Sequence, residues 1–480
     1  MMMKAPTKKA AITTKIKWGG IVINQPHIPN FMEIREYQKD AMRSWLSAKG
    51  QGILEMATGS GKTVTSICAI VKLLQQYRNA KMACGLVIVL PYKVLLEQWG
   101  EALALFGITP LACYESKAIW HDKMKEQVEL FNTGYFKEFF IITTNSTFYK
   151  SDFQTELRRI SGDYILCVDE MHHFATEKGL AMLPEHATFK IGLSATLMTK
   201  WENKSMDDLI EYFGGIVYQF PLERAIKEGF LTPYNYYPIF VGLTDDEKEE
   251  YNELSKKISK AFLINKNSND DEVLQSLLRK RARIITSAEN KIDVLRGMRD
   301  TIVGAGYNLF YCGDKRETET DEAQRYVEKV NRLLSFEFNM KTHTFTAEES
   351  KSQRSTILRN FASGTIESLT AIRCLDEGVD IPALRRAFIL SSGTNPKEFI
   401  QRRGRILRRS PGKEIAEVYD FFVVPTMNRN EIARMDSVQL GSERRILNRE
   451  FDRFKEFADL ALNKQEAYSK IIGIWNLYNK

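Results

Sequence analysis

Seven consecutive residues, Ala57-Thr58-Gly59-Ser60-Gly61-Lys62-Thr63, separate a short apolar run from a helix-forming stretch. Glycines in that setting let backbone N–H groups turn toward phosphate oxygens, and the N-terminus of the following helix adds a favourable dipole. Thr58, Gly59, Ser60 and Gly61 would wrap the phosphates of a nucleoside triphosphate. Lys62 would pair its β- and γ-phosphates, and the Thr63 hydroxyl would coordinate Mg²⁺. Met56 stands where the strict pattern has its first glycine, and a glycine-rich helix entry is the bland alternative. The loop says that a nucleotide binds, not what it is used for.

Further on, Asp169-Glu170-Met171-His172 follows another apolar run, so two carboxylates leave a strand at its C-terminal end. Nucleotide chemistry needs one carboxylate to hold hydrated Mg²⁺ and another to orient or deprotonate the attacking water. Asp169 fits the first role and Glu170 the second. An acidic pair after a strand is otherwise a common surface turn; its pairing with Lys62 favours chemistry. His172 and His173 are adjacent and lack the helical i, i+4 spacing of a zinc pair. A third group is Gln401-Arg402-Arg403-Gly404-Arg405-Ile406-Leu407-Arg408. Arg405 and Arg408 are three apart, which on a helix places them on one face. Cationic groups are what a γ-phosphate needs as charge develops during transfer, although a solvated basic helix face is the ordinary fate of such a run.

These groups need a scaffold, and hydrophobic periodicity describes one. Apolar runs at residues 53–56, 86–90, 139–143, 164–168 and 189–193 alternate with helical stretches. In the first of these, Val64, Ile67, Cys68, Val71 and Leu74 share one face. A second series runs through 308–312, 343–346, 369–373, 386–390 and 418–422. Such alternation predicts parallel sheets covered on both faces, and two series predict an α/β protein of two domains. The expected boundaries are a basic N-terminal arm over 1–30, a first domain over 31–232, a second over 233–425, and a helical tail over 426–480. The second domain includes a charged helical segment, 245–298, broken by a polar loop at 265–271. A Gly/Pro/Tyr stretch at 229–238 reads as the hinge.

Composition narrows the class. The 480 residues exceed one compact core, and 44% hydrophobic with 27% charged content is that of an ordinary globular protein. No apolar stretch approaches the roughly 18 residues of a membrane helix. Lys4, Lys8, Lys9, Lys15 and Lys17 make the N-terminus basic without the apolar core of a secretion signal. Such an arm either touches phosphates or is a solvated tail. The six cysteines show no C-x-x-C spacing, so neither a zinc site nor a disulfide framework is indicated, and a reducing, cytoplasmic location is expected. The net charge of +7, from 68 basic and 61 acidic side chains, permits a polyanionic partner without demanding one.

With these parts in order, the sequence resembles a superfamily 2 helicase of the DExH kind over residues 33–425. The resemblance implies two tandem RecA-like domains, and ATP with Mg²⁺. Arg35-Glu36-Tyr37-Gln38 resembles the family's adenine-reading element, in which Arg35 and Gln38 would face the base; an amide can donate and accept in one plane. Residues 91–99, with Lys93, and Thr144-Asn145-Ser146 resemble backbone-tracking loops, whose contacts position a strand without reading its bases. Ser194-Ala195-Thr196 resembles the motif that couples nucleotide state to domain movement. Residues 375–382 resemble the fifth motif, with Asp380 at the ribose or the arginine pair. Residues 401–408 resemble the sixth, which puts Gln401, Arg405 and Arg408 in the catalytic set. The two arginines would be fingers worth about 10³–10⁵ in rate, so the domains must close for turnover. Arg402 is expected at nucleic-acid phosphates, with Arg403 and Arg409 as further candidates. Thr346-Ala347-Glu348-Glu349 with Arg354 resembles the second domain's strand-gripping loop, Thr346 being its contact, although the family's usual glycine is absent. Arg279-Lys280-Arg281 and Arg283 form a basic cluster that either touches nucleic acid or is a charged helix face.

Within the superfamily, residues 375–382 and 401–408 look closest to the restriction-enzyme-type branch, the motors of type I and III restriction systems. That implies an ATP-dependent helicase or translocase acting on double-stranded DNA, in restriction, defence or repair. With no nuclease motif evident, cutting would belong to a partner subunit in trans, docked on the C-terminal helices. An RNA-dependent DExH helicase is the first alternative, since backbone-tracking motifs do not distinguish the sugars. A scaffold holding ATP as a structural ligand is the second, and the complete set of Lys62, Glu170, Arg405 and Arg408 argues against it.

Overall fold

Both series of apolar runs form parallel sheets in the computed structural model. It describes residues 17–18, 21–22, 24–195, 197, 204–264, 272–313, 321–346, 349–372, 381–391 and 396–478. The chain divides into two compact units, Met1–Ala225 and Ile226–Lys480. The first unit holds seven strands: β1 Gln51–Met56, β2 Gly85–Leu90, β3 Leu111–Cys113, β4 Phe140–Thr144, β5 Tyr164–Val168, β6 Phe189–Ser194 and β7 Ile216–Phe220. All pair in parallel, in the order β3-β4-β2-β5-β6-β1-β7. Every residue of β2, β4 and β5 is buried, as expected of strands with helices on both faces.

The second unit holds β8 Tyr234–Val241, β9 Asn308–Tyr311, β10 Thr342–Phe345, β11 Ser368–Ala371, β12 Arg386–Ile389 and β13 Ala416–Val423. The six strands are again all parallel, in the order β8-β13-β12-β9-β11-β10. The ten expected strands are therefore present with ends shifted by a residue or two, and β3, β7 and β8 are additional.

One expectation is corrected. The stretch read as a hinge contributes most of β8, which pairs with β13 along its full length from Tyr234↔Ala416 to Val241↔Val423. Pro238 misled the reading because proline cannot donate to a ladder. At a sheet edge that loss is tolerated, and β8 is an edge strand. Its outer side is partly covered by the segment between the last two helices: Leu462 N donates to Tyr234 O at 2.9 Å, and Asn463 exchanges bonds with Tyr236 N and O at 2.8 and 3.0 Å.

The charged segment forms the helices Asp245–Ile264, Glu272–Thr286 and Asn290–Gly297, and residues 265–271 lie outside the described part. The tail forms the helices Ser437–Ala458 and Lys464–Tyr478. Cys68, Cys84, Cys113, Cys167 and Cys312 are buried and unbridged, while Cys374 lies outside the described residues. Among the described residues no helix is long and apolar enough to cross a membrane.

Candidate nucleotide site and arginine segment

Parallel sheets present their ligands at the C-terminal ends of their strands. The phosphate loop leaves β1 and the carboxylate pair leaves β5, with only β6 between them. Two strand spacings, about 10 Å, thus separate the two groups at one sheet edge. The loop turns through two left-handed glycines, Gly59 at φ 85° and Gly61 at φ 86°. Gly61 caps the helix Lys62–Asn79, so Lys62 and Thr63 occupy its first turn, where backbone donors are unspent. A Cβ at Gly61 would also lie 3.0 Å from Gln38 Nε2, so that amide would have to give way by a few tenths of an ångström. Thr58 Oγ1 and Ser60 Oγ are buried without a hydrogen-bond partner. Buried hydroxyls are normally satisfied, so two orphans in one phosphate-type loop suit a polyanionic ligand.

The preceding helix, Glu36–Ser47, braces this loop. Tyr37 donates its hydroxyl to Ser60 O at 2.5 Å and stacks on Phe220, with ring centroids 4.1 Å apart and planes 6° apart. Gln38 Nε2 donates to Thr65 Oγ1 at 3.1 Å, while its Oε1 accepts from Arg35 N at 3.0 Å. Gln38 therefore holds the loop internally and keeps one hydrogen and one lone pair of its amide for a further partner. Arg35 Nη1 donates to Tyr37 Oη at 3.3 Å.

Asp169 is buried at the end of β5. Trp99 Nε1 donates to its Oδ2 and Glu170 N to its Oδ1, both at 2.9 Å. Burial, and then the charge on Glu170, push the Asp169 carboxyl up to about 6, against the pull of Lys62 and of these N–H donors. Lys62 is thus near enough for its charge to act on the Asp169 carboxyl. Glu170 sits at φ 47°, ψ 48°, a left-handed conformation costly for a non-glycine residue and retained mainly where structure overdetermines it. Its buried Oε2 makes no hydrogen bond and lies 3.4 Å from His172 Nδ1. Among the described residues no three His, Cys, Asp or Glu side chains converge as a metal cage. One hydroxyl, one carboxylate and substrate phosphates suit Mg²⁺, which keeps much of its water.

In the second unit, the helix Pro396–Ile406 carries Gln401, Arg402, Arg403 and Arg405. Arg408 lies two residues beyond its end, so the shared helical face expected for Arg405 and Arg408 is not how they are arranged. Arg402, expected at nucleic-acid phosphates, is a correction: it is fully buried, with its guanidinium 5.1 Å from the Tyr311 ring centroid. Arg403 is likewise buried and pairs with Glu456 at 2.6 Å. Spacing could not show this, because only packing decides that Arg402 meets Tyr311 of the sheet and Arg403 meets Glu456 of the helix Ser437–Ala458. Arg409 remains exposed. Asp380, with residues 375–379, lies outside the described residues, as do Thr196, Ala347 and Glu348.

The remaining expected contacts sit where strands end. Lys93 opens the helix after β2, exposed and paired with Glu115. Trp99, grouped with it in the sequence, is buried against Asp169 rather than turned to a ligand. Thr144 ends β4, with its Oγ1 3.0 Å from Ser146 Oγ, and Asn145 Oδ1 is buried without a partner. Thr346 follows β10; its N donates to Glu349 Oε2 at 2.8 Å, and its carbonyl accepts from Arg354 Nη2 at 3.2 Å. In the basic cluster, Arg281 donates to Ser255 Oγ and Ser442 Oγ at 3.2 Å each, so it links helices within the unit.

Sequence reasoning passed over Glu55, which is buried on β1 two residues before the loop. Its Oε1 accepts from Leu197 N at 2.8 Å and its Oε2 from Gln219 Nε2 at 2.7 Å, tying the strand before the loop to the segment after β6 and to β7. A charged residue inside an otherwise apolar strand was the available signal. Lys413 was also missed; its ammonium is buried and donates to the carbonyls of Ile406 and Arg408.

Comparison with known proteins matches both units. Residues 31–199 fit the family model described as type III restriction enzyme, res subunit, and residues 311–410 fit the helicase conserved C-terminal domain. The DNA 3'-5' translocase XPB2 of Sulfurisphaera tokodaii is 25% identical over 404 residues, covering 80% of this chain and 80% of the relative. Putative helicase 22 of a Sulfolobus islandicus filamentous virus is 23% identical over 403 residues, covering 82% of this chain and 64% of the relative. Among solved structures, the helicase domain of Pyrococcus furiosus Hef superposes with a TM-score of 0.51 at 17% identity, over 83% of this chain and 97% of that one. The type ISP restriction-modification enzyme LlaBIII bound to DNA superposes with a TM-score of 0.60 at 16% identity, over 97% of this chain. This chain spans only 34% of that enzyme's length. These likenesses show the tandem RecA-like fold.

Proposed function

We propose that this chain, a superfamily 2 helicase of the restriction-enzyme-type branch, is an ATP-dependent translocase that moves along or remodels double-stranded DNA. The observation that carries the reading is the phosphate loop facing Asp169 and Glu170, with the orphaned hydroxyls of Thr58 and Ser60 and the strained Glu170 at one sheet edge. Lys62 and the first-turn N–H groups bind and orient the β- and γ-phosphates. Thr63 and Asp169 are the residues that would hold Mg²⁺, which when bound supplies positive charge at those phosphates. Glu170 orients the attacking water and takes its proton. The second unit contributes Arg405 and Arg408 as cations for the charge that develops in transfer, and Gln401 and Asp380 complete its set of expected residues, so turnover requires both units. Arg35 and Gln38 flank the base.

Lys93, Thr144, Asn145 and Thr346 follow or end strands at the C-terminal edges of their sheets, and they form the backbone track. Backbone contacts are sequence-independent, so binding should weaken steeply with salt. DNA as the track is supported by relatives named as a DNA translocase and as a restriction-modification enzyme bound to DNA, and its duplex form by the resemblance to the restriction-enzyme-type branch. A nuclease or repair subunit in trans would complete such a system, acting in the cytoplasm. The test is ATPase activity at fixed salt with duplex DNA, single-stranded DNA and single-stranded RNA, beside Lys62→Ala. Stimulation by duplex DNA, abolished by Lys62→Ala, is expected; stimulation by RNA alone selects an RNA helicase, and no turnover with any of them selects a scaffold.

A further inference from the structure

The arginine segment is tied down by charged groups from outside it. Arg403 donates to both the carboxylate and the carbonyl of Glu456 on the helix Ser437–Ala458, with its guanidinium 5.4 Å from the Phe457 ring centroid. Phe457 in turn lies 6.0 Å from Phe399 on the arginine helix, and its carbonyl accepts from the Tyr234 hydroxyl at 2.5 Å. Two residues along a helix turn the side chain through about 200°. Locking Arg403 against the helix Ser437–Ala458 therefore directs Arg405 to the opposite side. Past the helix end, Lys413 holds the carbonyls of Ile406 and Arg408, and Thr232 Oγ1 reaches Arg408 O at 3.4 Å. The backbone that carries Arg408 is thereby held beyond the end of the helix, whose Arg405 O also accepts from Arg408 N at 3.4 Å.

We infer that Glu456 and Lys413 are positioning residues for Arg405 and Arg408, which makes the helix Ser437–Ala458 a working part of the ATPase rather than an appended tail. The inference rests on the proposed role of the two arginines. Arg403 is only 2% exposed at its side chain. It cannot swing without leaving a buried guanidinium unpaired, which is strongly unfavourable. Long arginine side chains lose much freedom when they act at one point, so a fixed backbone lowers the entropic cost of placing them.

The experiment compares Glu456→Gln, Glu456→Asp, Lys413→Met and Arg405→Ala in the full chain. DNA-stimulated ATPase is resolved into kcat and KM, and melting temperature is measured in parallel. Glu456→Gln and Lys413→Met should each lower kcat about tenfold while KM for ATP stays within about twofold, because phosphate binding by the first unit is untouched. Glu456→Asp, which keeps the charge, should recover part of the loss and serves if Glu456→Gln does not fold. Wild-type kcat in Glu456→Gln and Lys413→Met beside an inactive Arg405→Ala overturns the inference. So does a fall in kcat matched by a rise in KM. Wild-type kcat in Arg405→Ala instead overturns the proposed role of the arginines.

Discussion

The indole N–H of Trp99 donates to Oδ2 of Asp169 across 2.9 Å, joining the helix after β2 to the carboxylate at the end of β5. Both groups are buried, so the bond fixes which lone pairs the carboxylate presents. Outer partners of this kind typically change metal affinity 10–100-fold when removed. Trp99→Phe should raise the Mg²⁺ concentration for half-maximal ATPase by about tenfold while nucleotide binding without metal is unchanged. A Mg²⁺ titration of the variant checks this, and an unaltered titration would remove Trp99 from the site.

Glu170→Gln preserves shape and removes the acceptor of a proton. Loss of a positioned general base costs about 10²–10⁴ in rate, so turnover should fall by that order while ATP still binds. Single-turnover hydrolysis with a parallel binding titration separates the two effects. Turnover at the wild-type rate would reassign the water-orienting role.

Glu55 serves structure rather than chemistry. Glu55→Ala strands Leu197 N–H and the Gln219 amide, at a cost of roughly 1–3 kcal/mol if both stay buried. Thermal melting should move down by several degrees in the first unit, with the second unit unaffected.

Lys413 predicts a pH dependence. Burial, and then the nearby Arg385 charge, push its ammonium down from 10.5 to about 7. The unfolded chain then holds one more proton than the folded chain between about pH 7 and 10.5, so this group makes the fold more stable as pH rises through that window. Below pH 7 both states are protonated and the contribution is flat. The stability difference between wild type and Lys413→Met should therefore shift in favour of wild type from pH 7 to 10, read by chemical denaturation at each pH.

Removing the chain after residue 425 should unfold the second unit. Arg453 pairs with the fully buried Asp420 at 3.2 Å, and Asp420 also accepts from the Tyr236 hydroxyl at 2.9 Å. Taking one partner from a buried pair costs about 3–5 kcal/mol. Limited proteolysis should leave the first unit resistant and degrade the second. Truncation is consequently no clean test of partner docking on these helices; surface substitutions on Lys464–Tyr478 are.

The phosphate-type loop was legible because its conformation depends on local geometry. Glycines at 59 and 61 allow left-handed turns, and Lys62 follows at a helix start, all within seven residues. The apolar runs announced both sheets for a similar reason: strands buried on two faces must be apolar throughout. β8 was not legible, since Pro238 and the run Tyr234-Asn235-Tyr236-Tyr237 before it read as punctuation until an edge place in the sheet makes them tolerable. Arg402 and Arg403 were not legible either. A run of arginines carries no mark of which members face inward, and only the packing of Tyr311 and Glu456 against the helix decides it.

By itself, then, the chain's order of residues determined that Ala57-Thr58-Gly59-Ser60-Gly61-Lys62-Thr63 forms a glycine-turned loop at a helix start and that two parallel-sheet units carry the parts, because those properties are written in neighbours and periods. Tertiary structure alone decided that Trp99 and Gln38 brace the site, and that the helix Ser437–Ala458 holds the arginine segment. Those assignments depend on residues far apart in the chain meeting in a buried, low-dielectric interior, where an unpaired charge or hydrogen-bonding group is too costly to leave. No local pattern records which partner it meets.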